Sequence, residues 1–251
     1  MPLIDTAAGP IFYAQRGRAG PALLCLHGAG GSHRHWLHLL DGLGDLARAY
    51  AADLPGHGGS ASPGRASIAA YAESVFALMD ALGLERAALA GHSMGAAAAI
   101  VAALDRPERV AGLALVGASA RLRVLPALIP GLADDPAATI DMLVSMLYAA
   151  EAPAELRAAG VDDLRRCDPA VLRDDFRACD GFDIRPRLAE LRTPALVVCG
   201  AEDRMTPPRL GAELHAGIVG AQLVTIAGTG HMIMLERPDQ LIAALRGWLA
   251  C

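Results

Sequence analysis

A serine framed by glycines two positions to either side, in Gly91-His92-Ser93-Met94-Gly95, is the side chain of this sequence best suited to attack a substrate. A free hydroxyl is a weak nucleophile at neutral pH and needs a base to take its proton. That base needs an acceptor in turn, to fix its tautomer and stabilise the imidazolium. His231, closing Gly228-Thr229-Gly230-His231, and Asp203, closing Gly200-Ala201-Glu202-Asp203, are the candidates for those parts. The glycines at 91 and 95 have a steric task. A turn this sharp strains the serine backbone and brings neighbouring backbone close, where a Cβ would obstruct.

The elements around these residues must bring them together. Residues 87–90 form a short apolar run ahead of the serine, and an alanine-rich segment of high helix propensity follows it. The spacing predicts strand, tight turn and helix, with Ser93 Oγ exposed at a helix N-terminus, where oriented N–H groups favour negative charge. Further strands are expected at 11–15, 22–26, 49–54, 110–116, 195–199 and 222–226. Helices are expected at 35–47, from 66 or 67 to 82, and at 238–249. Strands alternating with helices predict an α/β fold with a mostly parallel twisted sheet of about eight strands, covered on both faces. Ser93, Asp203 and His231 each follow a strand, at the sheet edge where open α/β sheets bind ligands. The run 22–26 leads into His27-Gly28-Ala29-Gly30-Gly31-Ser32, a glycine-rich loop whose backbone N–H groups can approach a ligand. It reads either as half of an oxyanion hole or as a flexible connection.

Residues 120–190 differ in character. Proline, charge and helical periodicity dominate there, and a structureless loop of that length is uncommon. The segment reads as an inserted helical cap, with 1–119 and 191–251 forming the core. Met142, Met146, Tyr148 and Phe182, together with Leu147 and Phe176, are the candidates for its inner, substrate-facing surface; Met232 and Met234 lie beside the histidine loop. Most such residues serve packing. Arg121 and Arg123 stand at the cap entrance, where they either anchor a substrate carboxylate or pair with cap acids.

Composition excludes several classes of function. The 251 residues carry a net charge of −5 with no basic cluster, which argues against a nucleic-acid partner. All 22 basic residues are arginines, so lysine Schiff-base and P-loop chemistry are excluded. The mean hydropathy of +0.34 is inflated by alanine and glycine, and no run approaches a membrane span. The first residues lack the pattern of a signal peptide, so a cytoplasmic chain is expected. The five cysteines show no C-x-x-C spacing; Cys25 and Cys199 read as buried thiols, and no metal or cofactor is expected. Asp53 and His57, in Asp53-Leu54-Pro55-Gly56-His57-Gly58-Gly59-Ser60, read as turn residues.

Taken together, HGAGG at 27–31, DLPGHGGS at 53–60, GHSMG at 91–95, GAEDRMTP at 200–207 and GTGH with the following ERP at 228–238 resemble the α/β-hydrolase superfamily over essentially the whole chain. The order serine, acid, histidine is that superfamily's order. The resemblance implies Ser93 as nucleophile, His231 as general base and acid, and Asp203 as the orienting carboxylate. It implies an oxyanion hole from the backbone N–H groups of Met94 and Ala29, with Gly30 a less favoured donor. Gly28, Gly30 and His92 would line the pocket. The expected reaction is hydrolysis of small to medium carboxylic esters through an acyl-enzyme, by a monomer or homodimer. A C–C bond hydrolase of diketones, a cofactor-free perhydrolase and a ligand receptor that has lost turnover remain as alternatives. Serine rather than aspartate at 93 disfavours dehalogenase and epoxide hydrolase chemistry.

Overall fold

The computed structural model describes residues 2–250. Eight strands form one sheet: β1 (Leu3–Ile4), β2 (Ile11–Arg16), β3 (Ala22–Leu26), β4 (Arg48–Ala52), β5 (Ala87–His92), β6 (Val110–Val116), β7 (Ala195–Gly200) and β8 (Gln222–Ile226). Their order is β1-β2-β4-β3-β5-β6-β7-β8. The β1–β2 and β2–β4 pairs are antiparallel, and every pair from β4 to β8 is parallel. The chain leaves β3 for β4 on one side and leaves β5 for β6 on the other. The loops after β3 and β5 therefore diverge above two adjacent strands, which opens a crevice at their C-terminal ends.

The central strands are apolar at almost every position because both faces are buried. Along β3, Leu24 and Leu26 pack to one side and Leu23 and Cys25 to the other. The first face is covered by α2 (Ile68–Ala81) and α3 (Met94–Asp105), the second by α1 (Leu37–Leu43) and α10 (Pro238–Leu249). Ser67 caps α2 by accepting the Ala70 N–H at 3.2 Å, and Gly83 follows its end in the left-handed region. The helix expected over 35–47 is shorter: a 3-10 turn takes His33–Trp36 and α1 begins at Leu37.

Four helices lie between β6 and β7: α4 (Leu128–Asp134), α5 (Pro136–Leu147), α6 (Ala154–Arg165) and α7 (Pro169–Asp180). Two of them start where an aspartate meets a proline. Asp135 accepts the Ala138 N–H and Asp168 the Ala170 N–H, while the proline needs no hydrogen bond at the first helical position. An isolated bridge between Arg121 and Asp183 draws the two ends of this insertion together. After β7 come α8 (Pro208–Gly217) and, past β8, the single turn α9 (Ile233–Glu236). No helix among the described residues is long and apolar enough to cross a membrane.

Candidate active site

Ser93 sits between β5 and α3 with φ 50° and ψ −113°, the one non-glycine residue at positive φ among those described. Such a backbone costs on the order of 1–3 kcal/mol and persists only where its surroundings enforce it. Here both flanking glycines enforce it. A Cβ on Gly91 would collide with the backbone of Gly95 and Ala96, and one on Gly95 with the carbonyls of Leu26 and His27. The helix thus starts hard against the end of β3. As the first helical residue, Met94 has an N–H without an intrahelical acceptor.

His231 lies in the loop after β8, and its Nδ1 is 2.8 Å from Asp203 Oδ2. A carboxylate only accepts, so Nδ1 carries the proton and Nε2 is left as the basic nitrogen. Asp203 is buried. Burial alone would raise its pKa, but the neighbouring His231 and the hydrogen bonds it accepts hold it below the usual carboxylate range. Those bonds come from the N–H groups of Met205 and Thr206 and from Thr206 Oγ1, each at 2.8 Å. Glu202, in the turn after β7, faces away from His231 and accepts the Ala150 N–H at 3.2 Å.

The histidine loop is held from two sides. Glu236 accepts the N–H groups of Gly230 and of Ala149 at 2.9 Å each, and the His231 N–H donates to Leu147 O at 2.7 Å. Ala149 and Leu147 belong to the insertion, so the candidate base is tied to it. Sequence reasoning missed Glu236 and Thr206, although both stand within the two motifs that flagged His231 and Asp203.

Ser93, His231, His92, Gly28, Ala29, Tyr148 and Met232 share the wall of one cavity of about 240 Å³. Its apolar side comes from the insertion, chiefly Leu143, Leu147, Leu156, Leu164 and Phe176. Arg34, His35, Asp163 and Arg166 form its polar part, and none of these was singled out in the sequence. Three expected residues are corrected. Met142 is exposed and Met146 half-buried on α5, where Leu143 and Leu147 turn inward instead. Both pairs have i, i+4 spacing, and one residue of offset rotates a helical side chain by about 100°. Phe182 is buried in the core on the α2–α3 side of the sheet, away from the cavity.

Gly30 is also corrected as a donor and as a wall of this cavity. Its N–H is engaged at 2.9 Å by Asp175 Oδ2, a carboxylate of α7. No acceptor within the described residues takes the Ala29 N–H. Residues 28–31 form a β-turn closed by Gly31 N–H to Gly28 O at 3.0 Å, with Gly30 at φ 65°, the pattern of a type II turn. Asp53 behaves as a turn former: its carboxylate accepts His33 N–H, His33 Nδ1–H and Gly59 N–H at 2.6–2.8 Å. Arg121 and Arg123 line a separate groove with Arg185 and Arg209.

Residues 23–244 match the family model described as "Alpha/beta hydrolase family". The chain is 33% identical over 247 residues, 90% of its length, to the dihydrolipoyllysine-residue acetyltransferase component of an acetoin cleaving system from Pseudomonas putida. It spans only 62% of that relative. It is 29% identical over 239 residues to a pimeloyl-[acyl-carrier protein] methyl ester esterase from Neisseria meningitidis, covering 89% of this chain and 91% of the relative. Among solved structures, an enol-lactonase from Burkholderia xenovorans LB400 superposes with TM-score 0.94 over all of both chains at 24% identity, a likeness of fold.

Proposed function

We propose that this chain, which belongs to the α/β-hydrolase family, hydrolyses carboxylic esters of small to medium size through an acyl-enzyme on Ser93. His231 Nε2 takes the Ser93 proton as Oγ attacks the ester carbonyl, and Asp203 steadies the resulting imidazolium. The N–H groups of Met94 and Ala29 receive the oxyanion, a contribution of about 100- to 1000-fold in rate per donor. The same histidine protonates the leaving alkoxide and then activates the water that releases the acid. The helices between β6 and β7 act as a cap whose leucines and Phe176 receive the acyl chain.

The observation that carries this reading is the strained Ser93 at the head of α3, sharing a cavity with a histidine whose Nδ1 proton is already committed to a buried carboxylate. An esterase among the relatives supports the reaction class. The test is hydrolysis of p-nitrophenyl esters from acetate to decanoate by wild type and Ser93→Ala. Multiple turnover in wild type, lost in the variant by at least about 10⁴-fold, is expected from removing the nucleophile of such a triad. A cavity of about 240 Å³ favours acyl chains at the short to middle part of that series. Absence of turnover at every length overturns the reading.

A further inference from the structure

We infer that Asp175, a residue of the insertion, is a positioning residue for the oxyanion loop, so that docking of the insertion and assembly of the catalytic site are one event. The inference rests on the serine-hydrolase reading above. Asp175 is fully buried and gathers three donors from three parts of the core. Oδ2 accepts the Gly30 N–H at 2.9 Å and His57 Nε2–H at 2.8 Å, and Oδ1 accepts the Tyr71 hydroxyl at 2.5 Å. Gly30 is at the third position of the 28–31 turn. The N–H that Asp175 holds is that of the turn's central peptide, the unit whose orientation separates a type II turn from a type I turn. Ala29, immediately before it, supplies the proposed oxyanion donor.

The insertion also closes over the turn sterically. A Cβ on Gly30 would lie 2.7 Å from Leu172 and 2.8 Å from Leu164, so two leucines of the insertion bear directly on this glycine. With α7 displaced, the Gly30 N–H, the His57 ring and the Tyr71 hydroxyl would all lose their acceptor together. The turn would then lose its anchor to α7 at Gly30, and the loop could shift as a whole, carrying with it Ala29 N–H in the peptide before the central one. A misplacement of about 1 Å in such a group lowers a rate by roughly 100-fold. A buried carboxylate with three donors from the 27–31 loop, the 53–60 loop and α2 exceeds what packing of α7 requires.

The test compares wild type with Asp175→Asn and with Tyr71→Phe, which leaves the carboxylate in place and removes one donor. On p-nitrophenyl butyrate, Asp175→Asn is expected to lower kcat by about 10- to 100-fold with KM within twofold. Binding of a trifluoromethyl ketone, whose hemiketal with Ser93 Oγ places an alkoxide in the hole, should weaken by the same factor, and binding of the corresponding alcohol should not change. Tyr71→Phe should move kcat in the same direction by less. Unchanged kcat and ketone affinity, or equal losses for ketone and alcohol, overturns the inference. Amide hydrogen exchange of residues 28–31 tests the loop without turnover. Faster exchange in Asp175→Asn supports the coupling even if wild type hydrolyses no ester, whereas exchange unchanged from wild type rejects it. If Asp175→Asn does not fold, Tyr71→Phe carries both measurements, and unaltered kcat and exchange there reject the inference.

Discussion

His92 Nε2 donates to the backbone carbonyl of His231 at 3.0 Å, so the residue before the candidate nucleophile supports the loop of the candidate base. The rings lie 4.6 Å apart. Burial, and then the nearby His231, push the His92 pKa well below its ordinary value, which keeps the ring neutral with its proton on Nε2. His92 Nδ1 is buried without a hydrogen-bond partner among the described residues, and a Cβ on Gly28 would sit 2.8 Å from it. His92→Ala is expected to free the His231 carbonyl and reduce kcat by about 10- to 100-fold with little change in KM. Steady-state kinetics on one soluble ester decides it: an unchanged kcat means that the contact does not hold the base.

Ser93, the candidate nucleophile, carries backbone strain. Glycine adopts φ 50° without a Cβ penalty, whereas alanine retains the penalty. Ser93→Gly should therefore be more stable than Ser93→Ala by about 1 kcal/mol, after allowing for the extra freedom glycine gives the unfolded chain. That difference corresponds to about 2–4 °C in Tm for a chain of this size. Both variants should be inactive. Equal melting temperatures would mean that the backbone at Ser93 carries no such strain.

The candidate triad was legible because each member follows a strand and stands in a short local pattern. The sheet was legible for a related reason: strands buried on both faces are continuous apolar runs. The two-residue β1 carries no such signal. Asp175 was invisible for the opposite reason. It lies 145 positions from Gly30, in a charged helix whose acids look alike, and only the packed chain shows which one is buried. Likewise the sequence contains two parallel i, i+4 pairs on α5, Met142 with Met146 and Leu143 with Leu147. Side-chain type favours neither, and the choice is made by the rotation at which α5 meets the core.

His57 gives the fold a dependence on alkaline pH. Burial alone would lower its pKa, but the Asp175 carboxylate at 2.8 Å and a smaller contribution from Cys167 raise it to about 10. Its ring also faces Tyr71 and His27, and His27 is held neutral, with a pKa lowered to about 3 by burial and by His57. A group whose pKa is higher in the folded state than the unfolded value of 6.5 stabilises fully below that value. The contribution then declines as pH rises towards 10 and is gone above it. Tm measured from pH 6 to 10 should fall across this window, and His57→Gln should flatten the decline. A wild-type profile parallel to that of His57→Gln would mean that the ion pair does not form.

Two glycine-to-alanine changes separate a glycine required by close packing from one that merely lowers helix propensity. A Cβ on Gly95 would collide with backbone carbonyls of Leu26 and His27, which belong to β3 and its loop and cannot rotate away as a flexible side chain can. Either α3 retreats from the sheet or β3 shifts, and overpacking of that kind costs about 1–3 kcal/mol. The retreat would also displace Met94 N–H and Ser93, so Gly95→Ala should lose activity before it loses the fold. Gly247 is in α10, and a Cβ there meets nothing within 4 Å. Gly247→Ala gains helix propensity of about 0.5–1 kcal/mol and should raise Tm with activity unchanged. Thermal melts and ester hydrolysis on both variants test directly the geometry of the turn between β5 and α3. A Gly95→Ala enzyme as active as Gly247→Ala would show that α3 need not start against β3 for Ser93 to be poised.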